Sequence, residues 1–488
     1  MLLKDLLQSI PVLECTAPEE LEISSVCYDS RKAGPGSLFV AIPGFASDGH
    51  RFIPSALDQG AAAVLCERPP EGKAPYILVA NARAALAQLG DNWFGHPTKE
   101  LPVIGITGTN GKTTVTYLLK SILEQVTGAK IGLIGTIQNM IGDQVLETER
   151  TTPESFELQG LFRQMADAGC RYAVMEVSSH ALCLNRVDCV DFCLGVFTNL
   201  TEDHLDFHKT MEAYGQAKAQ LFARCPVSVL NMDDPAWTVM KASACGKVLT
   251  YSMEDDRADL VAKNVRLKSD RVEMEAVIGN EIRRLELGIP GAFSVYNALA
   301  AVLAALGLGL SLKDVAAALK NAKGVKGRVE VVPTPGQPYT MLIDYAHTPD
   351  GLENVLRTVR GFAKGRTVVL FGCGGDRDPI KRPIMGKIAA DLADFVVVTS
   401  DNPRTEEPGA IIQQILAGME GTKTPYTVIE NRREAIAWVM DHAMLDDVIV
   451  LAGKGHETYQ ILGHEKTHLD EREEVAAHLE QMKKEQTT

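Results

Sequence analysis

Residues 103–114 constrain the fold more than any other stretch of this chain. Val103 to Ile106 reads as a buried strand, and from Thr113 to Glu124 the apolar residues Val115, Leu118, Leu119 and Ile122 recur with helical spacing. Between them runs Thr107-Gly108-Thr109-Asn110-Gly111-Lys112-Thr113-Thr114, a glycine-bearing turn that ends in Gly-Lys-Thr. A strand turning through glycines into a helix offers backbone N–H groups with no Cβ in the way, and the helix N-terminus adds positive potential. Those are the parts of a phosphate cradle. Lys112 is placed to reach β- and γ-phosphates, and the Thr113 hydroxyl to hold Mg²⁺. Ile106 stands where the strict pattern has its first glycine, and the glycines fall at 105, 108 and 111, so the loop is a variant. An ordinary strand–helix turn would leave Lys112 and the two threonines unexplained.

The rest of the 488 residues has room for about three domains of ~150 residues. Lys and Arg number 49 against 63 Asp and Glu, a net charge of −14. That balance argues against a general nucleic-acid or membrane-surface binder, so anionic ligands must be met by basic residues inside motifs. The start, Met1-Leu2-Leu3-Lys4-Asp5, reads as an amphipathic helix and not a secretion signal. No apolar run reaches the ~18 residues of a membrane span, and the expectation is a cytoplasmic protein. Ten cysteines are scattered without CxxC pairs and read as small buried hydrophobes. Cys183, Cys189 and Cys193, near His180, match no common zinc spacing.

Taken in order, residues 1–98 alternate short strands and helices, broken by turns such as Gly34-Pro35-Gly36. Tyr28-Asp29-Ser30-Arg31 and the loop Gly44-Phe45-Ala46-Ser47-Asp48-Gly49 fit a diphosphate or uridine contact and equally fit surface turns. Residues 99–330 begin with the phosphate loop and continue with strands expected near 131–135, 172–177, 192–199 and 227–231. Alternation with helices implies a mostly parallel sheet whose ligands lie beyond the strand C-termini. Thr151-Thr152-Pro153, Glu176-Val177-Ser178-Ser179-His180 and Asn199 to Asp206 fall at such ends. From 331 the pattern restarts, with strands expected near 341–345, 367–371, 395–399 and 447–451. The fold class is therefore α/β, with a second doubly wound domain over 331–488 that has no phosphate loop of its own.

Several motifs carry chemistry. Glu176 ends a strand in the layer of the phosphate loop, where its carboxylate can complete a Mg²⁺ shell begun by Thr113; the alternative is a solvated strand end. His204, within Asp203-His204-Leu205-Asp206-Phe207-His208, can bind a second metal as neutral imidazole. Tyr214, Lys218 and Phe222 share one face of an expected helix, where a lysine between aromatics ordinarily snorkels to water. In the last domain, Asp344-Tyr345-Ala346-His347, Gly372 to Asp378, Ser400 to Arg404 and Gly453-Lys454-Gly455-His456-Glu457 all follow strands. Four polar strand ends on one sheet edge make a ligand-binding crevice.

These motifs, over nearly the whole chain, resemble those of the Mur ligases, ATP-dependent amide-forming enzymes of peptidoglycan precursor synthesis. The resemblance implies a small N-terminal uridine-binding domain, a central ATPase domain and a C-terminal Rossmann-like domain. It implies ATP contacts at Thr109, Asn110, Gly111, Lys112, Thr113, Thr114, Asn297 and Arg328, with Asp344 and His347 close to the nucleotide. Mg²⁺ would sit on Thr113, Glu176, His204 and Lys218, the last carbamylated by CO₂, which replaces the snorkelling reading. Lys112, Lys218, His204 and Glu176 would be the catalytic set. Ser30, Phe45, Ala46 and Ser47 would hold the uridine end of UDP-N-acetylmuramoyl-L-alanyl-D-glutamate, and Thr151, Thr152, Ser178 and Arg186 the remainder. Arg377, Asp401, Asn402, Pro403, Arg404, Gly453 and Glu457 would bind the incoming amino acid. Asp401-Asn402-Pro403-Arg404 looks like the signature of members that add meso-diaminopimelate and not lysine. Two positions depart from the family: Ser294 stands where Asn is usual, and Leu184 where some members have Gln.

The physical logic of that signature is direct. Diaminopimelate carries a second, distal carboxylate, and a guanidinium can clasp it through two parallel hydrogen bonds. Lysine would leave the guanidinium desolvated and unpaired, a penalty on the order of 10⁴ in sites built around a polar group. The partners implied are small molecules acting on a monomer, with no nucleic acid and no membrane. Rival readings are a lysine-adding member, a folylpolyglutamate synthetase, or a general ATPase that would need none of the C-terminal strand ends.

Overall fold

The computed structural model describes residues 1–44, 47–146, 148, 150–322 and 324–485. Phe45 and Ala46, expected to touch the uridine end, lie outside the described residues. The chain divides into two compact units, Met1–Thr250 and Tyr251–Thr488. No helix among the described residues is long and apolar enough to cross a membrane.

The first unit holds two sheets. Near the N-terminus, five strands run in the order Val12–Cys15, Tyr76–Val79, Ala63–Cys66, Ser37–Val40 and Ser25–Cys27. The first pairs antiparallel and the others parallel. Leu38, Val40, Leu65 and Ile77 meet Leu86 and Leu89 of the helix Ala82–Trp93 in one core. Asn81 caps that helix, its side chain accepting from the N–H groups of Arg83 and Ala84.

The second sheet of this unit is organised by the strand Val103–Thr107. It lies between Phe192–Phe197 and Tyr172–Glu176, both parallel to it, and every one of its residues is buried. Val227–Asn231 and Ile131–Ile134 extend the parallel set, and the hairpin Asn139–Ile141 and Gln144–Leu146 continues it antiparallel. Burial on both faces explains the unbroken apolar runs of these strands. Their C-termini share one edge, which collects the turns after Thr107, Ile134, Glu176 and Phe197.

The second unit opens with an antiparallel meander, Leu260–Leu267, Val272–Ile278 and Glu281–Leu287. Continued strand–helix alternation was expected here, and the meander replaces it. Leu260, Met274, Leu285 and Leu287 are buried. On other positions Arg271 pairs with Glu286 at 2.8 Å and Arg284 with Glu273 at 2.7 Å. Dense charge at alternate positions hides the apolar face from a periodicity count.

Six further strands follow, in the order Glu330–Val332, Thr340–Asp344, Val448–Ala452, Thr367–Phe371, Phe395–Val398 and Tyr426–Val428. All pairs are parallel except that of the edge strand Glu330–Val332. Helices Pro349–Arg360, Lys381–Leu392 and Pro408–Ala417 cover one face, where Leu352, Leu356, Met385 and Ile415 join the core. Arg432–Asp441 and Glu471–Glu485 cover the other, through Ile436, Val475 and Leu479. The hairpin Tyr459–Leu462 and Glu465–His468 lies beyond the carboxyl edge of this sheet, against the Asp401–Arg404 loop.

Candidate functional site

In the first unit the phosphate loop is held by the strand end beside it. The Thr109 N–H donates to the Asn199 carbonyl at 2.8 Å and the Asn110 N–H to the Asn199 side chain at 2.9 Å. The Thr198 hydroxyl donates to Asn110 O at 2.6 Å. Gly108 has φ +148°, and a Cβ there would lie 1.9 Å from the Thr198 hydroxyl. Only glycine allows that approach. Lys112 leads the helix Lys112–Thr127 and folds back, its Nζ 2.9 Å from Gly108 O and 2.8 Å from Thr109 O.

Glu176 is not a solvated strand end. It is 1% exposed, and its Oε2 accepts from the Thr113 hydroxyl at 3.0 Å. Thr136, which no motif singled out, adds its N–H to Oε1 at 2.9 Å and sets its hydroxyl 3.0 Å from Oε2. The Thr136 hydroxyl is also 3.1 Å from that of Thr151, and the Thr152 hydroxyl donates to Glu176 O at 2.8 Å. Ser178 donates its N–H to the Thr152 oxygen, and Arg186 donates to Thr152 O. Thr113, Thr151, Thr152, Glu176, Ser178 and Arg186 thus form one network. A carboxylate ringed by hydroxyls is a hard-oxygen set that fits Mg²⁺.

Lys218 corrects the snorkelling expectation. It lies on the helix Met211–Ala219, is 1% exposed, and donates to Gly108 O at 2.8 Å. Its ammonium sits 4.3 Å above the Tyr214 ring. Burial, with Lys112 nearby, holds it well below the usual lysine range. Ala217 and Ala219 are buried beside it, and the solvent face of that turn falls to Gln216 and Gln220 instead. Phe222 lies beyond the helix in a short 3₁₀ turn.

His204 lies on the loop that follows the strand Phe192–Phe197. It is half-exposed in a left-handed conformation (φ 54°), with its ring 4.9 Å from that of His180. His208 is buried, and its Nε2 lies 2.8 Å from the Ser179 hydroxyl. Burial first, then His180, Lys218 and His204, push His208 down to about 4.

A cavity of about 500 Å³ near the N-terminal sheet brings Ser30 and Ser47 together with Asp29, Arg31, Arg83, Arg150 and Glu154. Glu154, buried, receives Arg150 at 2.8 Å and Arg83 at 3.3 Å. Arg186 Nε approaches it at 2.9 Å as an ion pair not aligned for a hydrogen bond. Three guanidiniums on one carboxylate leave positive charge beside the cavity, suited to an anionic ligand. Arg83, Arg150 and Glu154 were missed, since each is an ordinary charged residue on its own element.

In the second unit, Asp344 ends the strand Thr340–Asp344 and accepts from the N–H groups of Ala346 (2.9 Å) and Val329 (2.8 Å). Burial raises its pKa above the carboxylate norm. Arg328 lies 5.6 Å over the Tyr345 ring, which is 4.5 Å from His347 and 4.9 Å from His456. Asn297, on the helix Ala292–Gly307, is buried, and its Nδ2 has no hydrogen-bond partner among the described residues.

Most of the residues expected to hold the amino acid converge at the other strand ends. Arg404 has φ 54° and donates to Gly375 O at 2.8 Å, while its backbone is bound to the hairpin through Ile461 O and Gly463 N–H. Asn402, 3% exposed, donates its Nδ2 to Glu457 Oε2 at 3.0 Å. Asp401 Oδ1 accepts from the Asn402 N–H at 2.7 Å; its Oδ2 is buried, with no hydrogen-bond partner among the described residues. Gly453 has φ +110°, and a Cβ there would lie 3.0 Å from that Oδ2. Arg377 is exposed and donates to Asp376 O, and its stem lies beside Gly374, as does Arg404 Nη1. Below it, buried Arg382 pairs with Glu406 at 2.8 Å and donates to Gly374 O.

The comparisons with known proteins agree with this layout. Family models described as Mur ligase family catalytic domain, Mur ligase middle domain, and Mur ligase glutamate ligase domain match residues 22–93, 106–305 and 327–455. The chain is 50% identical to a UDP-N-acetylmuramoyl-L-alanyl-D-glutamate--2,6-diaminopimelate ligase of Caldanaerobacter subterraneus, over 97% of this chain and 98% of that one. It is 48% identical to the protein of the same name from Clostridium botulinum, over 93% and 94%. A solved structure of a protein of that name superposes with a TM-score of 0.75 at 32% identity, covering 99% of both chains. By its motifs, its three matched domains and its near full-length relatives, this chain belongs to the Mur ligase family.

Proposed function

We propose that this chain is an ATP-dependent ligase that joins meso-diaminopimelate to the D-glutamate carboxylate of UDP-N-acetylmuramoyl-L-alanyl-D-glutamate. The relatives of that name cover almost the whole chain. The observation that carries the choice of amino acid is Arg404, whose guanidinium is held on Gly375 O at the strand ends where Asn402 meets Glu457. Segments 1–98, 99–330 and 331–488 are read as the domains for the UDP end, for ATP and for the amino acid.

In the first step the D-glutamate carboxylate attacks the γ-phosphorus of ATP. The bond to the β,γ-bridging oxygen breaks, giving an acyl phosphate and ADP. In the second, the diaminopimelate amine attacks the acyl carbon, and phosphate leaves as the amide forms. Two anions meet in the first step, and Lys112 lowers that repulsion once its ammonium turns from Gly108 O to the phosphates. Thr113 and Glu176 would hold Mg²⁺, whose chemistry is to offset phosphate charge. Lys218 is read as the carbamylated ligand, supported by its burial beside Gly108; His204 is read as a further ligand. Thr151, Thr152, Ser178 and Arg186 would orient the muramoyl-peptide, and Ser30 and Ser47 the uridine end.

Phosphate release is the deciding assay, with ATP, Mg²⁺ and the UDP-substrate present and diaminopimelate or lysine added separately. Release that depends on diaminopimelate and is negligible with lysine is expected. Release with lysine alone would keep the ligase and overturn the specificity. Release without either amino acid would indicate a general ATPase.

A further inference from the structure

Lys454 lies between Gly453 and Glu457 but has no part in the reaction as described. It is 0% exposed. Lysine is almost never fully buried unless paired, and a buried ion pair is often no more stable than an apolar replacement of the same volume. Stability is therefore a weak reason for an ammonium at this place.

Its contacts give a stronger one. Lys454 Nζ donates to Asn402 Oδ1 at 2.9 Å, and the Ile461 N–H donates to the same oxygen at 3.0 Å. Both groups are donors without acceptor capacity, so the atom of Asn402 that faces them must be the oxygen. The amide is thereby turned one way, and Nδ2 points to Glu457 Oε2 at 3.0 Å. Lys454 Nζ also reaches that oxygen, at 3.4 Å. Glu457 Oε2 is thus held by two donors, while Oε1 has no hydrogen-bond partner among the described residues. The backbone around Lys454 is anchored independently: Arg432 donates to Ala452 O at 2.9 Å and Arg472 to Gly455 O at 3.0 Å.

We propose that Lys454 is a positioning residue for the incoming amino acid, fixing the Asn402 amide and the Glu457 carboxylate so that Glu457 Oε1 accepts from an ammonium group of the substrate. The inference rests on the proposed function, because it takes Asn402 and Glu457 as amino-acid contacts. Without the ammonium, Asn402 loses the charge that orients it and Glu457 can rotate.

The test uses the full chain with Lys454→Met, which keeps the stem and removes the charge, and Lys454→Gln, which keeps a donor. Phosphate release is followed against diaminopimelate at saturating ATP and UDP-substrate. Removing one partner from a buried charged hydrogen-bond set should raise KM for diaminopimelate roughly 30-fold or more in Lys454→Met. The rise should be smaller in Lys454→Gln, and KM for ATP should not change in either. Asn402→Asp, which turns an oxygen toward Glu457 Oε2, should reproduce the KM effect. A structural role alone would lower the melting temperature and the active fraction while leaving KM in place, and that result would overturn the proposal. So would failure of both Lys454 variants to fold, since Lys454 would then belong to the scaffold. If the wild-type chain uses lysine in place of diaminopimelate, the reading of the substrate fails, and the same KM comparison made with lysine still decides the role of Lys454.

Discussion

The phosphate loop of the first unit and the amino-acid cluster of the second both occupy carboxyl ends of parallel strands, yet they are built in different ways. The loop is one continuous segment, Gly108 to Thr114, between a strand and its own helix; its outside support comes from Thr198 and Asn199, just past the strand Phe192–Phe197, and from Lys218 on Gly108 O. The amino-acid cluster has no continuous segment. Arg404 rests on Gly375, Asn402 on Lys454 and Ile461, and Glu457 on Asn402, so three loops and a hairpin strand meet. A phosphate group is bound largely by backbone N–H groups and can be served by one turn. A zwitterion with two ammonium and two carboxylate groups needs donors and acceptors several ångströms apart, which one turn cannot offer. The second design depends on distant buried partners.

The largest effect expected from that dependence is at Glu471. Its carboxylate and Arg432 are 1% and 0% exposed, with Nη2 to Oε1 at 2.7 Å, and Arg432 also holds Ala452 O just before Gly453. Glu471→Gln leaves a guanidinium buried without its counter-charge and should cost about 3–5 kcal/mol of stability, read as a fall in the urea midpoint. A loss nearer the ~0–1 kcal/mol of exposed pairs would break the contrast between the two sites. Next comes Lys112→Ala, which should lower kcat on the order of 10²–10³ without moving the melting temperature, as for other single groups that stabilise transition-state charge. Loss of folding there would show that the loop is less self-contained than its local hydrogen bonds suggest.

Arg404→Lys keeps the charge and removes the fork. Hydrogen bonds to charged groups contribute about 1.5–3 kcal/mol, so kcat/KM for diaminopimelate should fall roughly 10- to 100-fold and the preference over lysine should narrow. An unchanged preference would move specificity to another residue of the cluster. The smallest effect is the pH dependence carried by His208. Its folded value of about 4 lies below the ~6.5 of an unfolded histidine, so the unfolded chain takes up the proton first as pH falls. Stability should therefore decline between about pH 6.5 and 4, and the urea midpoint of His208→Gln should decline less over that window.

Legibility in the sequence followed the same division. The strands around the phosphate loop were visible because burial on both faces produces apolar runs, and their observed ends lie within a residue or two of those expected. The meander over 260–287 was not visible, because ion pairs at alternate positions overwrite its apolar face. Lys218 was readable only through resemblance: a lysine between aromatics looks like a surface residue until packing shows that Ala217 and Ala219 are buried beside it. Thr136 and Glu154 carried no local signal, and Lys454 lay in a strand-end motif that gave it no role of its own. Each matters through remote partners: Thr136 through Glu176, 40 residues away; Glu154 through Arg83, 71 residues away, and through Arg186; Lys454 through Asn402, 52 residues away.

The sequence by itself determined the α/β class, the phosphate loop and the position of the polar strand ends, Asp401 to Arg404 among them. Those properties rest on spacing within a few residues, where glycine conformation, helical period and strand alternation act. Tertiary structure alone decided that Glu176 is buried among hydroxyls, that Lys218 faces Gly108, that three guanidiniums share Glu154, and that Lys454 turns the Asn402 amide toward Glu457. The physical reason is that hydrogen-bond direction and desolvation are set by the atoms that close around a side chain, and in this chain those atoms come from remote segments.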